Sequence, residues 1–419
     1  MNWLDFSSEA FTAAFFLYCA AFISYAIAVA GKRWSNRDPQ AHVARWSKIG
    51  FAAAILAWVL HLTFFFTRWK GEGHIPTSNM YEFMTFLAMA VMFAFIIVFL
   101  IYRNPLLGAF TLPIIIIIVA YASVFPSEVQ PLNPALNSIW LRIHVTTAAT
   151  GEAFFAVGFA AALMQLIRVV DLERTDKAGR RARWWTEFSL IVIIVIIGFL
   201  ISVFSFRGAG YDAKFSQETV EIAEDGTVNS DINEVVYSLP PIVSPYNSDI
   251  VTFQPFLGMD KPLFEAPSWM TGVNAGRKLN TVIWSIISGL VLYGLLRLLA
   301  RKPLIAVIKP HLTDIDADDL EEISYRAIAI GFPVFTLGAL IFAMIWAQIA
   351  WSRFWGWDPK EVWALVTWLF YSAYLHLRLS RGWQGTRSAW LAVIGFLVVM
   401  FTLIGVNLVI AGLHSYAGV

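Results

Sequence analysis

Six tryptophans, Trp346, Trp351, Trp355, Trp357, Trp363 and Trp368, fall within 23 residues, with Arg353, Asp358 and Lys360 set among them. Indole faces stack on flat conjugated rings, and indole N–H groups donate hydrogen bonds. Arg353 and Lys360 add cations suited to a pair of carboxylates. The segment therefore reads as an aromatic shelf for a large, flat, acidic ligand, the description of a porphyrin with its two propionates. Tryptophan is also common in the belts where helices meet the membrane surface. Such a belt spreads over many helix ends, however, and this cluster occupies one. Asp358, Pro359 and Glu361 have the N-cap, N1 and N3 pattern of a helix start, so a helix is expected to leave the segment there.

The histidines are the second set. The chain has seven, and two of them, His144 and His414, lie by independent counting at the same level beyond two different apolar runs. Neutral imidazole ligates haem iron, and two axial ligands must come from opposite faces of the ring. His144 and His414 meet that requirement. His376 and His61 fall inside apolar runs, about 20 Å and about 18 Å from opposite membrane edges at the rise of an α-helix. That offset makes a shared ligand site between them unclean. A lone intramembrane histidine is as readily satisfied by a neighbouring hydroxyl or carbonyl. His74 precedes another run, while His42 and His311 read as surface residues. Cys19 is the single cysteine, which excludes a disulfide framework, a cysteine-rich metal site and covalent haem attachment to this chain.

These groups need a scaffold, and composition says which kind. Of 419 residues, 58% are hydrophobic and 14% charged, and the mean hydropathy is +0.65. A soluble domain carries about 25% charged residues, so this chain is expected to be an all-α polytopic membrane protein. A net charge of +1 gives no electrostatic case for nucleic acid or an acidic substrate. Ten apolar runs are long enough to cross a bilayer: 11–30, 49–67, 82–102, 106–124, 143–167, 186–206, 279–299, 328–350, 363–380 and 388–410. The acidic flank at Asp5 and Glu9 argues against a cleaved signal peptide. Twenty of the 30 Lys and Arg residues fall on the connections after odd-numbered runs. By the positive-inside rule this puts both termini, the Trp-rich segment, His144 and His414 on the extracytoplasmic side.

The chain divides in this reading into helices 1–206, an extracytoplasmic acidic insert 207–277, and helices 278–419 with the Trp-rich segment 346–368. The insert carries ten acids. Its alternating pattern around Asp225-Gly226 suggests a hairpin, and its prolines an irregular remainder. Asn79 and Glu82 are either the cap of the third helix or contacts to a ligand.

The stretch from Trp346 to Trp368, containing W-G-W-D-P-K-E-V-W, resembles the WWD domain of cytochrome c assembly proteins, in the form of the CcsA/ResC branch of System II. G-H-I-P-T-S-N-M-Y-E (73–82), I-W-L-R-I-H-V (139–145), A-Y-L-H-L-R around His376 and G-V-N-L-V-I-A-G-L-H-S-Y around His414 are similar to other parts of that family, covering roughly 72–168 and 322–419. The acidic insert departs from its shorter members. The resemblance implies haem b as substrate or cofactor, with His144 and His414 as axial ligands over the Trp shelf and His376 as a ligand within the membrane. A partner of the CcsB/ResB type is thought to supply the second transmembrane histidine, although His61 is a rival within this chain. The implied activity is holocytochrome c synthesis with that partner: attachment of haem to the C-x-x-C-H cysteines of apocytochrome c, with a thiol-reducing thioredoxin-like protein as a further partner. The implied location is a bacterial inner membrane or a thylakoid. A haem exporter without ligase activity stays open as an alternative; a b-type electron-transfer protein would place paired histidines in register, which the offset of His61 and His376 disfavours, and a secondary transporter would show an internal repeat, of which none is convincing.

Overall fold

A computed structural model describes residues 2–31, 38–129, 137–222, 228–270 and 272–406. His414 and the pair Asp225 and Gly226 lie outside the described residues. Six helices come first: α1 (Trp3–Ala30), α2 (Pro39–Glu72), α3 (Met80–Tyr102), α4 (Pro105–Ala122), α5 (Ile139–Val169) and α6 (Lys177–Gly208). Five strands follow: β1 (Ala213–Ile222), β2 (Val228–Tyr237), β3 (Val243–Ser244), β4 (Ser248–Thr252) and β5 (Phe264–Glu265). The chain then returns to helix as α7 (Ala275–Ala300), the short α8 (Leu304–Ile308), α9 (Ala317–Phe335), α10 (Ala343–Trp351), α11 (Pro359–Arg381) and α12 (Thr386–Met400). A π-helical stretch, Thr336–Phe342, joins α9 to α10, and a second, Phe401–Gly405, extends α12.

Among the described residues nine helices are long and apolar enough to cross a membrane, with α9 and α10 counted as one span, Ala317–Trp351. The run 363–380 also forms a helix, α11, of 23 residues. Its Trp363, Trp368, Tyr371, Tyr374 and His376 make it less apolar than the other nine.

Local chemistry explains most helix ends. The side chains of Asn2, Asp38, Asn79, Asn104 and Ser138 accept backbone N–H groups at the starts of α1 to α5, satisfying donors that have no partner inside the helix. Gly73 stops α2 in the left-handed conformation at φ 77°. At α3 the Asn79 Oδ1 accepts the Glu82 N–H at 2.9 Å. The Glu82 carboxylate accepts the Ser78 N–H and hydroxyl and is paired with Arg68 at 2.9 Å. The capping reading of Asn79 and Glu82 therefore holds.

The chain forms two compact units. One takes the residues up to Arg180 together with those from Ile308 on, and the other runs from Arg181 to Val307. The N-terminal and C-terminal helical stretches expected from the sequence each contribute to both.

In the first unit α5 is the central helix. It is buried throughout from Gly151 to Ile167, and it packs on α3, α4, α9, α10 and α12. Lipid is as apolar as leucine, so such packing depends on close backbone approach rather than on water expulsion. Gly151 supplies it against α9: a Cβ there would meet the Phe335 backbone nitrogen at 2.6 Å. At its other end α9 is tied down by Glu321, which is paired with Arg378 of α11 and accepts the Gln165 amide at 3.2 Å and the Gly385 N–H at 2.7 Å.

In the second unit β1 and β2 pair antiparallel with Ala213 opposite Tyr237 and Ile222 opposite Val228. The two strands of the expected hairpin are thus present. β4 joins the other edge of β1, giving the order β2-β1-β4, and β3 pairs in parallel with β5. Phe215, Val235 and Tyr237 form a small core with Tyr211 and Ala213. Asn280 of α7 accepts the Ile242 N–H at 2.8 Å, and the Trp284 indole donates to the Pro240 carbonyl at 2.7 Å. The proline-rich segment is thereby fastened to the first turns of α7.

Candidate functional site

Local backbone chemistry shapes the Trp-rich segment. α10 ends at Trp351, and Ser352 turns the chain at φ 56°. Asp358 then caps α11: its carboxylate accepts the Lys360 N–H at 3.0 Å, while Glu361 accepts the N–H groups of Asp358 at 3.2 Å and Gly356 at 2.7 Å. The expected Asp-Pro-x-Glu start is a complete capping box. Trp357 adopts φ 59°, a left-handed conformation costing a bulky residue roughly 1–2 kcal/mol. Its indole is 70% exposed. Strain of this kind persists where the surroundings hold it, and it gathers at functional sites.

The indoles do not pave a single plane. Trp346 and Trp351 meet at 80° with ring centroids 6.4 Å apart, and Trp355 and Trp357 at 85° and 6.0 Å. Edge-to-face contact is the arrangement that ring quadrupoles favour. Trp363 packs on Phe401, and Trp368 donates to the Thr336 hydroxyl at 2.9 Å, which ties α11 to the π stretch. The Trp355 indole N–H is buried and has no acceptor among the described residues. Arg353 is exposed, with its guanidinium folded toward Gly356. Lys360 is half-buried in the first turn of α11, ahead of the run 363–380. Burial lowers its ammonium to about 8 against the opposing pull of Asp358.

His144 is brought to this segment by the packing of α5 on the α9–α10 span. Its ring stacks on buried Trp346 with centroids 6.0 Å apart and planes 11° from parallel. Its Nδ1 lies 2.9 Å from the Gly338 carbonyl oxygen. A carbonyl only accepts, so Nδ1 carries the proton, which in the neutral imidazole leaves the lone pair on Nε2. This is the tautomer of an imidazole that ligates metal through Nε2. Among the described residues no three His, Cys, Asp or Glu side chains converge on a metal-sized site.

The other histidines are placed differently. His61 is fully buried, its Nδ1 3.1 Å from the Tyr18 hydroxyl and its ring among Phe11, Phe64 and Tyr18. His376 is exposed on α11, with the Ser380 hydroxyl 3.5 Å from Nδ1. His74 is half-buried and faces the Ile75 carbonyl at 3.2 Å. The structure thus unites His144 with Trp346 and sets His61 in a separate aromatic enclosure. Two residues were passed over in the sequence. Gly338 was one, and its spacing of seven from Gly331, matched by Gly151 and Gly158 on α5, was the available signal. Glu152 was the other: a buried acid inside an apolar run, with an Oε2 lacking a partner among the described residues.

Fold and site together define a polytopic helical membrane protein that sets a hydrogen-bonded imidazole beside a tryptophan-rich turn. The family described as Cytochrome C assembly protein matches residues 77–209 and 281–414, stretches that take in His144, Gly338 and the whole Trp-rich segment. The chain belongs to that family, whose work is cytochrome c assembly. It is 30% identical over 419 residues to the cytochrome c biogenesis protein CcsA of Nostoc punctiforme, a match covering 99% of this chain and 97% of the relative. It is 32% identical over 380 residues to the CcsA protein of Rippkaea orientalis, covering 88% and 87%. To that of Synechocystis sp. it is 32% identical over 353 residues, covering 83% and 82%.

Proposed function

We propose that this protein binds haem b, presents it at the extracytoplasmic face, and promotes its attachment to the C-x-x-C-H cysteines of apocytochrome c. The observation that carries this reading is the His144 imidazole, fixed with its lone pair on Nε2 and stacked on Trp346 at the edge of the Trp-rich segment. The surrounding groups suit the rest of the ligand. The Trp355 indole N–H, which has no acceptor among the described residues, Lys360 and Arg353 are donors for carboxylates, and Trp351, Trp357 and Trp363 offer apolar ring surface. Asp358 shapes the turn through its capping box. His414 is assigned as the second axial ligand.

His376 is assigned to haem within the membrane, and its exposure on α11 suits a ligand completed by a CcsB/ResB-type partner. His61, enclosed by Tyr18 and Phe11, is assigned a packing role. The orientation follows the Lys and Arg distribution, with both termini extracytoplasmic.

In the attachment step each cysteine S–H adds across a vinyl C=C of the porphyrin. The sulfur bonds to one vinyl carbon and the hydrogen ends on the other, so no external oxidant or reductant is consumed. The cysteines must arrive reduced, which is the place of a thioredoxin-like partner. This chain's contribution is to hold the ring still with its vinyl edge accessible, positioning rather than acid–base work.

The test is the absorption spectrum of the purified protein, wild type against His144→Gly, His376→Gly and His414→Gly. It is paired with reconstitution beside the partner and a C-x-x-C-H peptide, scored for thioether product. Loss of haem in the His144 and His414 variants supports the reading. Full haem content with an unchanged spectrum in His144→Gly would sink it, and haem release without thioether product would leave export alone.

A further inference from the structure

We infer that Gly338 is a positioning residue for His144, acting through its backbone carbonyl and through its lack of a side chain; this rests on the haem-ligand reading of His144. Three observations meet at this one residue. First, its carbonyl oxygen accepts from the His144 Nδ1–H at 2.9 Å, between residues 194 apart in sequence. Second, Gly338 lies in the π-helical stretch, where its carbonyl also accepts the N–H of Ala343, five residues on. The usual i→i+4 register is therefore broken where the imidazole docks. Such one-turn π segments interrupt α-helices frequently at functional sites. Pro333, which has no N–H to donate, lies inside the helix just ahead of the stretch. Third, a Cβ on Gly338 would collide with the backbone nitrogen of Ala148. Glycine alone lets α5 come close enough for a side chain on α5 to reach a carbonyl of the partner helix.

The chemical consequence has a sign. A hydrogen bond from Nδ1–H to a carbonyl fixes the tautomer, orients the ring and makes Nε2 a stronger electron donor. Stronger donation favours ferric over ferrous iron, so the bond holds the potential of a haem ligated by His144 down. Partners of this outer kind are worth about 10–100-fold in metal affinity.

Gly338→Ala should separate the helices and lose haem, but it could also prevent folding. The decisive variant keeps the shape: replacing Ala339 by lactic acid turns the 338–339 amide into an ester, whose carbonyl is a weaker acceptor. Leucic acid at Leu340 is the control, because it removes a neighbouring N–H and leaves the Gly338 carbonyl an amide. The full chain, prepared without haem and labelled with nitrogen-15 histidine, is read by NMR. The expected result is a protonated Nδ1 on His144 in the wild type and the control, and a mixed or reversed tautomer in the 338–339 ester. With haem loaded, the ester should raise the midpoint potential and lower haem retention about 10-fold, and the control should do neither. An ester that leaves both tautomer and potential at wild-type values overturns the inference. Haem retention in His144→Gly would overturn the ligand reading separately, because the NMR result reads the hydrogen bond with no haem present.

Discussion

The imidazole of His144 and the indole of Trp346 lie nearly parallel and offset, 6.0 Å between centroids and 11° between planes. One ring comes from α5 and the other from α10, so the pair marks where two distant parts of the chain meet. Trp346 is 2% exposed. Trp346→Ala should therefore destabilise the protein by about 3–5 kcal/mol, the range for emptying a buried aromatic site. Trp346→Phe keeps a ring against the imidazole and should lose less. Thermal unfolding in detergent checks the order, and equal losses would deny the stack a structural role.

His144→Gly should abolish holocytochrome c formation and strip the haem band from the purified protein. Added imidazole should restore part of both, because the vacated space admits the free ring. Complete absence of rescue would count against a ligand role and favour a packing role for the side chain.

Trp357 gives a test that separates strain from contact. Trp357→Gly relieves the left-handed backbone and should leave the fold unchanged or about 1 kcal/mol more stable. Trp357→Ala retains the strain. If the exposed indole serves the haem, both variants should lose haem affinity while only the glycine variant gains stability. Wild-type haem content in both would remove Trp357 from the site.

Lys360 should leave a signature in the pH dependence of stability. Burial lowers its ammonium to about 8, against about 10.4 for an exposed lysine. Between those values the unfolded chain binds more protons than the folded one, so stability rises with pH across that window. Below about 8 the group is charged in both states and its contribution is flat. Lys360→Met should erase the rise. Binding of a carboxylate ligand should weaken as pH passes about 8, as the ammonium loses its charge. Denaturation midpoints and haem titrations at pH 7 and 9.5 check both signs.

Arg378 and Glu321 fasten α11 to α9 from nearly buried positions. Arg378→Gln leaves the Glu321 carboxylate with the Gly385 N–H and the Gln165 amide alone, and should cost about 3 kcal/mol. Adding Glu321→Gln should recover part of that loss, since no uncompensated charge then remains. A single variant as stable as wild type would show the pair to be screened.

The sequence by itself determined the helices, the start of α11 and the strands of the insert. Those features are local: apolar length, an Asp-Pro-x-Glu cap and strict alternation are written in neighbouring residues. It also singled out His144 and the Trp-rich segment by residue type. Only the tertiary structure decided which histidine meets that segment, which one Tyr18 and Phe11 enclose, and which one is exposed on α11. In a membrane chain the lipid-facing and core-facing surfaces are both apolar, so periodicity does not tell them apart. The His144–Gly338 contact is a matter of two backbones approaching within the thickness of a missing methyl group, and no run of neighbouring residues encodes a distance between helices so far apart in the chain.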